Sequence, residues 1–295
     1  MRLMPAFLAL LAAVGVAGET QPGKDPAVRS AQPTPPHSWF ARWGGRSLRG
    51  VAVESCTPVG KGDNERQMAL RRPLRHAPGR PWLLIAAFPG HLERLEGDLL
   101  VAGWSLAYVQ CPNEFGSDRA MQAWEALYDD LTRGEKPLSP KPVVLGISRG
   151  GLYALAWARR HPDRLSALYL DNGVCDARSW PGGKPLGLGK GQGSPDDWRR
   201  LRRHLGFADD AAAIAGLPRP TDGLEAARDA GVLLISVHGT ADTIVPYEEN
   251  AAKVVAFWQA GGKQPLLFPK EGGDHHPHGL PDMKPVFEAL QKAAR

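Results

Sequence analysis

Short apolar runs alternate with amphipathic stretches along most of this chain, and this alternation constrains the fold more than any other feature. Apolar runs typical of strands lie at 82–88, 104–111, 142–147, 165–170, 232–237 and 264–268. Segments with helical periodicity lie between or after them, at 92–102, 117–133, 150–161, 247–260 and 281–294. Near-continuous apolar strands separated by helices are typical of a parallel sheet covered on both faces. The sequence therefore predicts an α/β fold with a mostly parallel sheet.

Two regions depart from this alternation. Weaker strand patterns around 49–54 and 68–73 predict an antiparallel edge of the sheet. Later, nearly 60 residues separate two strands, far more than a strand–helix connection requires. We interpret about 173–229 as an inserted lid over one end of the sheet. Its glycine-rich stretch, 180–194, follows no strand and opens no helix of a nucleotide-binding unit, so a phosphate-binding role is not expected.

The amino terminus has the pattern of an export signal. A positive start, Met1 and Arg2, precedes an apolar run that ends in small residues, and polar residues follow at once. We predict a signal peptide at 1–17, a flexible proline-rich lead-in at 18–40 and a folded domain at 41–295. An uncleaved membrane anchor is the alternative. The prediction places the protein in the periplasm or outside the cell, with no membrane attachment after cleavage.

Charge and cysteine content exclude several other classes of protein. The formal net charge is only +5, which is small for a nucleic-acid-binding protein, so no nucleic acid partner is expected. The three cysteines include no C-x-x-C pair that would predict a metal or redox site. In an oxidising compartment Cys56 and Cys111, both at strand ends, could approach each other, and whether they form a disulfide stays open.

The segment 143–151 contains a candidate nucleophile. It reads V-V-L-G-I-S-R-G-G and includes Gly146-x-Ser148-x-Gly150, the nucleophile-elbow pattern. Ser148 ends an apolar run and a helical pattern begins directly after it, which is the context the motif requires. A serine on so tight a turn projects above the sheet, beside the N–H groups of the helix terminus. A serine that merely caps a helix is the alternative.

A serine nucleophile needs a base and a group that orients the base. Asp242 lies in the turn after the strand at 232–237, and the loop that follows the last strand contains His275, His276 and His278. We predict Asp242 as the acid and His275 as the base, with His276 as the alternative base. Asp171, after an earlier strand, is the alternative acid. The three histidines could instead bind zinc, although no supporting carboxylate set accompanies them at metal-ligand spacing.

Three segments together resemble a known superfamily. The elbow Gly146–Gly150, the H-G-T-x-D-x-x-V-P turn at His238–Pro246 and the histidine loop at Gly272–Gly279 are similar to those of α/β-hydrolases, especially secreted bacterial esterases and prolyl-oligopeptidase-like hydrolases. The resemblance covers about 82–295. It implies an eight-stranded, mostly parallel sheet with helices on both faces, and a mechanism that requires no metal or organic cofactor. His238 is expected to support its turn rather than to catalyse.

The resemblance also indicates where an oxyanion would bind. One backbone donor is expected from Arg149 and the second from Phe88, because Pro89 has no N–H. The sequence A-A-F-P-G at 86–90 departs from the H-G-F-P-G that is common in the superfamily. The Arg149 side chain could bind an anionic substrate or form a salt bridge with an acid such as Glu114. Trp180 could line a substrate pocket or anchor the inserted segment.

These features predict a secreted serine hydrolase that cleaves carboxylic esters through an acyl-enzyme, with a small-molecule or polysaccharide ester as its substrate, which includes a carbohydrate esterase. The alternatives are a prolyl-oligopeptidase-like serine peptidase and a catalytically silent glycan-binding module. The basic helix at 196–205 is interpreted as a solvated face, although it could attract an acidic polymer. The sequence leaves the oligomeric state open.

Overall fold

A computed structural model describes residues 51–59, for which only the backbone is considered, and residues 66–294. The predicted signal peptide at 1–17 and lead-in at 18–40 lie outside these residues, as does the start of the predicted domain. Within the described part of the chain, no helix combines the length and the apolar character needed to cross a membrane.

In the part of the chain that the structure describes, eight strands form one sheet, in the spatial order β1-β2-β4-β3-β5-β6-β7-β8. Strands β1 and β2 form an antiparallel edge against β4, and all remaining neighbours pair in parallel. The structure confirms the predicted mostly parallel sheet, and the two weaker strand patterns form its antiparallel edge. The strands are β1 Val51–Val59, β2 Arg66–Pro73, β3 Trp82–Ile85, β4 Ser105–Val109, β5 Val143–Ile147, β6 Ala167–Asp171, β7 Leu233–Gly239 and β8 Leu266–Lys270.

Helices follow most of the parallel strands, close to the predicted positions. Some begin with side-chain caps; the Ser117 hydroxyl, for example, accepts a hydrogen bond from the backbone N–H of Ala120. The helices are α1 Glu93–Val101, α2 Asp118–Arg133, α3 Gly150–Arg160, α4 Pro195–His204, α5 Asp210–Gly216, α6 Glu225–Asp229, α7 Ala251–Ala260 and α8 Lys284–Ala293.

Two apolar cores cover the two faces of the sheet. On one face α1 and α8 pack their leucine and valine side chains against the strands, whereas α2, α3, α6 and α7 cover the other face with a tryptophan-rich layer. Strands β3 to β6 are consequently buried at every position, which accounts for their near-continuous apolar sequences. This double layer fixes the carboxyl ends of the strands, where the candidate site lies.

The segment after β6 packs in a third, smaller apolar cluster, which also includes Phe115 and Val245. Trp180, Trp198 and Leu201 are buried there, and the Trp198 indole N–H donates to Asp210 at 2.8 Å. The last part of the predicted insertion departs from this arrangement, because Leu224 and Ala227 pack in the core on the sheet face. The structure therefore places α6 with the helices that cover the sheet.

The basic face of α4 is balanced by acids. Arg200 pairs with Asp197 at 3.0 Å, and Arg199 and Arg202 pair with Asp196 and Asp210. Exposed pairs of this kind contribute little stability, but they reduce the positive potential of the face. This pairing favours the interpretation of a solvated helix face over that of a binding site for an acidic polymer.

Two of the three cysteines are buried free thiols. Burial raises the pKa of both Cys111 and Cys175 to about 12. The side chain of Cys56 lies outside the described residues.

Candidate active site

Ser148 occupies a strained turn between β5 and α3. Its φ is 48°, its N–H donates to the Asp171 carbonyl at 3.0 Å, and its own carbonyl accepts from the N–H of Val174 at 2.8 Å. A positive φ is unfavourable for a residue with a Cβ, and such strain clusters at functional sites. A Cβ at Gly151 would lie 2.4 Å from the Val174 carbonyl oxygen, so the second glycine after Arg149 is sterically required as well.

Three polar side chains form a hydrogen-bonded series at this turn. His275 Nε2 lies 2.9 Å from Ser148 Oγ, and His275 Nδ1 lies 2.7 Å from Asp242 Oδ2. The three residues follow β5, β7 and β8, whose parallel arrangement brings their carboxyl ends to the same edge of the sheet. The structure thus brings together the nucleophile, base and acid that were predicted from the sequence.

The carboxylate of Asp242 is held on its second oxygen as well. Asp242 Oδ1 accepts hydrogen bonds from the backbone N–H groups of Ile244 at 2.9 Å and Val245 at 2.8 Å. The side chains of Asp242 and His275 are only 1% and 3% exposed. The two backbone donors hold the carboxylate in place, so Asp242 Oδ2 can accept a hydrogen bond from His275 Nδ1–H without reorienting.

Asn172 was missed by the sequence analysis, although it links the two loops of the site. Its Nδ2 donates to the His275 carbonyl at 2.6 Å, and its Oδ1 accepts from the Gly239 N–H at 2.8 Å. One buried amide therefore joins the histidine loop to the strand end that precedes the Asp242 turn. Its φ is 44°, a left-handed conformation that asparagine tolerates better than most residues. An asparagine directly after a strand was therefore the sequence feature that could have indicated a tight turn at this position.

Asp171, the alternative acid, lies on a different histidine. Its carboxylate accepts from the Tyr169 hydroxyl at 2.9 Å and the Gly279 N–H at 3.0 Å, and lies 3.1 Å from His278 Nδ1. Burial, and then the neighbouring Asp171 carboxylate, raise the pKa of Tyr169 well above its ordinary value. The structure therefore gives Asp171 a second carboxylate–histidine pair beside that of Asp242.

His276, the alternative base, lies at the surface and outside the Ser148 series. Its pKa is lowered, chiefly by partial burial and then by the neighbouring His278 and His275 imidazoles. The candidate metal-binding nitrogens of His275, His276 and His278 all lie within 4.8 Å of one another. This trio contains the predicted base, so any ligand shared by the three imidazoles would compete with the Ser148 hydrogen bond.

The two residues predicted to supply the oxyanion donors line the same pocket. Phe88 and Arg149 both line a cavity of about 230 Å³ at the end of β3, together with Tyr108, Cys111 and Tyr153. Within residues 66–294, neither the Phe88 N–H nor the Arg149 N–H has a protein acceptor. Both donors are thus available to a bound group. Phe88 itself has a φ of 57°.

The Arg149 side chain is half-buried between two aromatic rings. Its guanidinium carbon lies 5.5 Å from the Phe88 ring centre and 5.3 Å from that of Trp180. It donates to Asn113 Oδ1 and lies 3.8 Å from the Asp197 carboxylate.

Arg149 lies beside an acid, as the suggested salt bridge requires, but that acid is Asp197 rather than Glu114, which pairs with Arg66 at 2.7 Å. Trp180 both anchors the inserted segment in its core and covers the Arg149 side chain. The structure agrees with the anchoring role suggested for Trp180, and Trp180 is not among the residues that line the pocket beside Phe88 and Arg149.

His238 does not join the Ser148 series. Its ring stacks on Tyr247 at a centroid distance of 3.6 Å, and its Nδ1 lies 3.3 Å from the Ser236 hydroxyl. Burial is the main cause of its lowered pKa. These contacts agree with the expectation that His238 supports the turn.

Comparisons with known proteins identify the fold. No protein-family model and no curated protein matches this chain. Among solved structures, an acylaminoacyl peptidase from Pyrococcus horikoshii is 15% identical at a TM-score of 0.58, and the match covers 80% of this chain and 39% of the peptidase. Est1E from Butyrivibrio proteoclasticus is 18% identical at a TM-score of 0.55, with 81% and 97% coverage. A thermostable esterase from Pseudomonas putida is 16% identical at 0.55, with 84% and 83% coverage. This chain has the α/β-hydrolase fold that the sequence resemblance implied.

Proposed function

We propose that this chain is a serine hydrolase that cleaves carboxylic esters through an acyl-enzyme on Ser148. One observation carries the proposal: Ser148, His275 and Asp242 form an uninterrupted hydrogen-bonded series, with distances of 2.9 and 2.7 Å. A serine hydroxyl is a poor nucleophile on its own, and this arrangement supplies both the base and the group that orients it.

The geometry supports a two-step mechanism. In the first step His275 Nε2 accepts the Ser148 proton as Oγ attacks the ester carbonyl, and the resulting imidazolium then protonates the leaving alcohol. In the second step a water molecule attacks the acyl-enzyme and its proton passes through His275, so the acid is released and Ser148 is regenerated. Asp242 fixes the tautomer of His275 and stabilises the imidazolium in both steps.

The Phe88 and Arg149 backbone donors complete the proposed machinery. In each step the carbonyl oxygen becomes an oxyanion, and we assign its binding to the N–H groups of Phe88 and Arg149, which have no acceptor among residues 66–294. Losing one such donor in comparable enzymes reduces turnover by about 10²- to 10³-fold.

Ester cleavage is our proposal and peptide cleavage is its alternative, because the structural neighbours include two esterases and an acylaminoacyl peptidase. Export to the periplasm or the exterior, and a polysaccharide ester as substrate, remain part of the proposal. The assembled series supports an enzyme over the alternative of a silent glycan-binding module.

Hydrolysis of p-nitrophenyl acetate by the purified chain tests the proposal. Ser148→Ala should lower kcat/KM by at least about 10³-fold, because the nucleophile is lost. It should leave the melting temperature nearly unchanged, and Ser139→Ala, which alters a serine outside the site, should retain full activity. Activity retained in Ser148→Ala would refute the proposal. A parallel assay with proline-containing peptides separates the esterase from the peptidase.

A further inference from the structure

We propose that His275, His276 and His278 form an inhibitory binding site for Zn²⁺ that switches off the Ser148 site. The binding itself is independent of the proposed function, and only its inhibitory effect depends on that function. Three imidazoles within 4.8 Å of one another form a donor set that zinc prefers.

Buried carboxylates already orient two of the three imidazoles. His275 Nδ1 lies 2.7 Å from Asp242, and His278 Nδ1 lies 3.1 Å from Asp171. A carboxylate accepts only an N–H, so each ring carries its proton on Nδ1 and presents the lone pair of Nε2. Histidine ligands of zinc are commonly oriented by such carboxylate–histidine pairs, which also increase the basicity of the ligand nitrogen.

The third imidazole is available to complete the set. His276 is exposed, and in the described part of the chain its ring nitrogens have no hydrogen-bond partner, nor does Nε2 of His278. Nitrogens around a tetrahedral zinc ion lie roughly 3.4 Å apart, given bonds of about 2.0–2.1 Å, so the trio must contract. The exposed side chain of His276 can rotate at small cost to approach the other two imidazoles.

Binding at this site would remove the base. In the free protein the Nε2 lone pair of His275 accepts the Ser148 hydrogen bond at 2.9 Å. A zinc ion coordinated by the same lone pair leaves Ser148 without a proton acceptor. No bond is broken and no redox partner is needed, so inhibition should be reversed by a chelator.

Calorimetric titration of the Ser148→Ala variant with zinc chloride tests binding without reference to activity. This variant keeps all three imidazoles and loses the competing hydroxyl, so it should bind one Zn²⁺ at least as tightly as the wild type. Adding His276→Ala should weaken binding tenfold or more. The matched control is His204→Ala, which removes an exposed imidazole from α4 and should change nothing.

Inhibition of the wild-type esterase should follow the same order. EDTA should restore activity, and His276→Ala should raise the inhibitory zinc concentration at least tenfold. No binding to Ser148→Ala, or equal zinc inhibition of wild type and His276→Ala, would overturn the inference while leaving the esterase proposal intact. Zinc binding that is lost with His276 in a protein without esterase activity would support the site and refute the proposed function instead.

Discussion

Replacing Asn172 should loosen the candidate site without touching any of its three reacting groups. Asn172 connects the strand end before Asp242 to the loop that carries His275, through hydrogen bonds of 2.8 and 2.6 Å. Asn172→Ala removes both bonds. It leaves the Gly239 N–H and the His275 carbonyl without partners in a buried environment.

The cost follows from these two groups. Each buried group left without a partner costs about 1–3 kcal/mol, so the loss should be roughly 2–6 kcal/mol of unfolding free energy. The left-handed backbone at φ 44° adds about 1 kcal/mol for alanine. Asn172→Gly loses the same hydrogen bonds but tolerates this φ, so it should be more stable than Asn172→Ala by roughly that last amount.

Urea unfolding followed by tryptophan fluorescence measures the stability, and p-nitrophenyl acetate hydrolysis measures the effect on the site. A small displacement of the imidazole can reduce turnover by about 10²-fold, so kcat should fall more than KM rises. A variant within 0.5 kcal/mol of wild type (roughly the ordinary scatter of surface substitutions) and with full kcat would refute the positioning role.

Two further predictions concern the elbow and the thiols. Gly151→Ala should destabilise the protein by about 1–3 kcal/mol or more, because a Cβ there would lie 2.4 Å from the Val174 carbonyl oxygen. The control is Gly134→Ala, which should be nearly neutral in the same urea assay because the nearest atom to a Cβ at that position is 3.4 Å away. Cys111 and Cys175 should resist iodoacetamide at pH 8 until the chain unfolds, since burial raises both pKa values from 9.0 to about 12. Rapid labelling of either cysteine in the native protein, found by peptide mapping, would contradict this protection. The thiols ionise at lower pH in the unfolded chain than in the folded protein, so the free energy of unfolding should fall as the pH rises from 9 towards 12.

The fold class could be predicted because strands that are buried on both faces of a sheet have apolar residues at nearly every position. Every position of β5 is buried, and its sequence is correspondingly apolar throughout. Strand ends were less predictable. The apolar run 82–88 predicts one continuous strand, yet β3 ends at Ile85. The Ala86 N–H still donates to the Leu145 carbonyl at 2.9 Å. The next residues pass close to the turn that carries Ser148, where a Cβ on Gly150 would lie 3.3 Å from the Cβ atoms of Ala86 and Ala87.

The sequence could not decide which acid lies against which histidine. Asp171 ends β6 and Asp242 follows β7, and only their three-dimensional contacts show that Asp171 lies against His278 and Asp242 against His275. Asn172 carries no catalytic motif, so its links to two separate loops could not be read from its neighbours. The partner of Arg149 was misjudged for the same reason.

Covalent labelling with a fluorophosphonate tests the central claim most directly, because the reagent requires an activated serine. The intact mass should increase by one adduct, and peptide mapping should place it on Ser148. Labelling should disappear in Ser148→Ala and slow markedly in Asp242→Asn, in which the amide at position 242 no longer stabilises the imidazolium. An adduct on another residue, or equal labelling of the wild type and Ser148→Ala, would contradict the account.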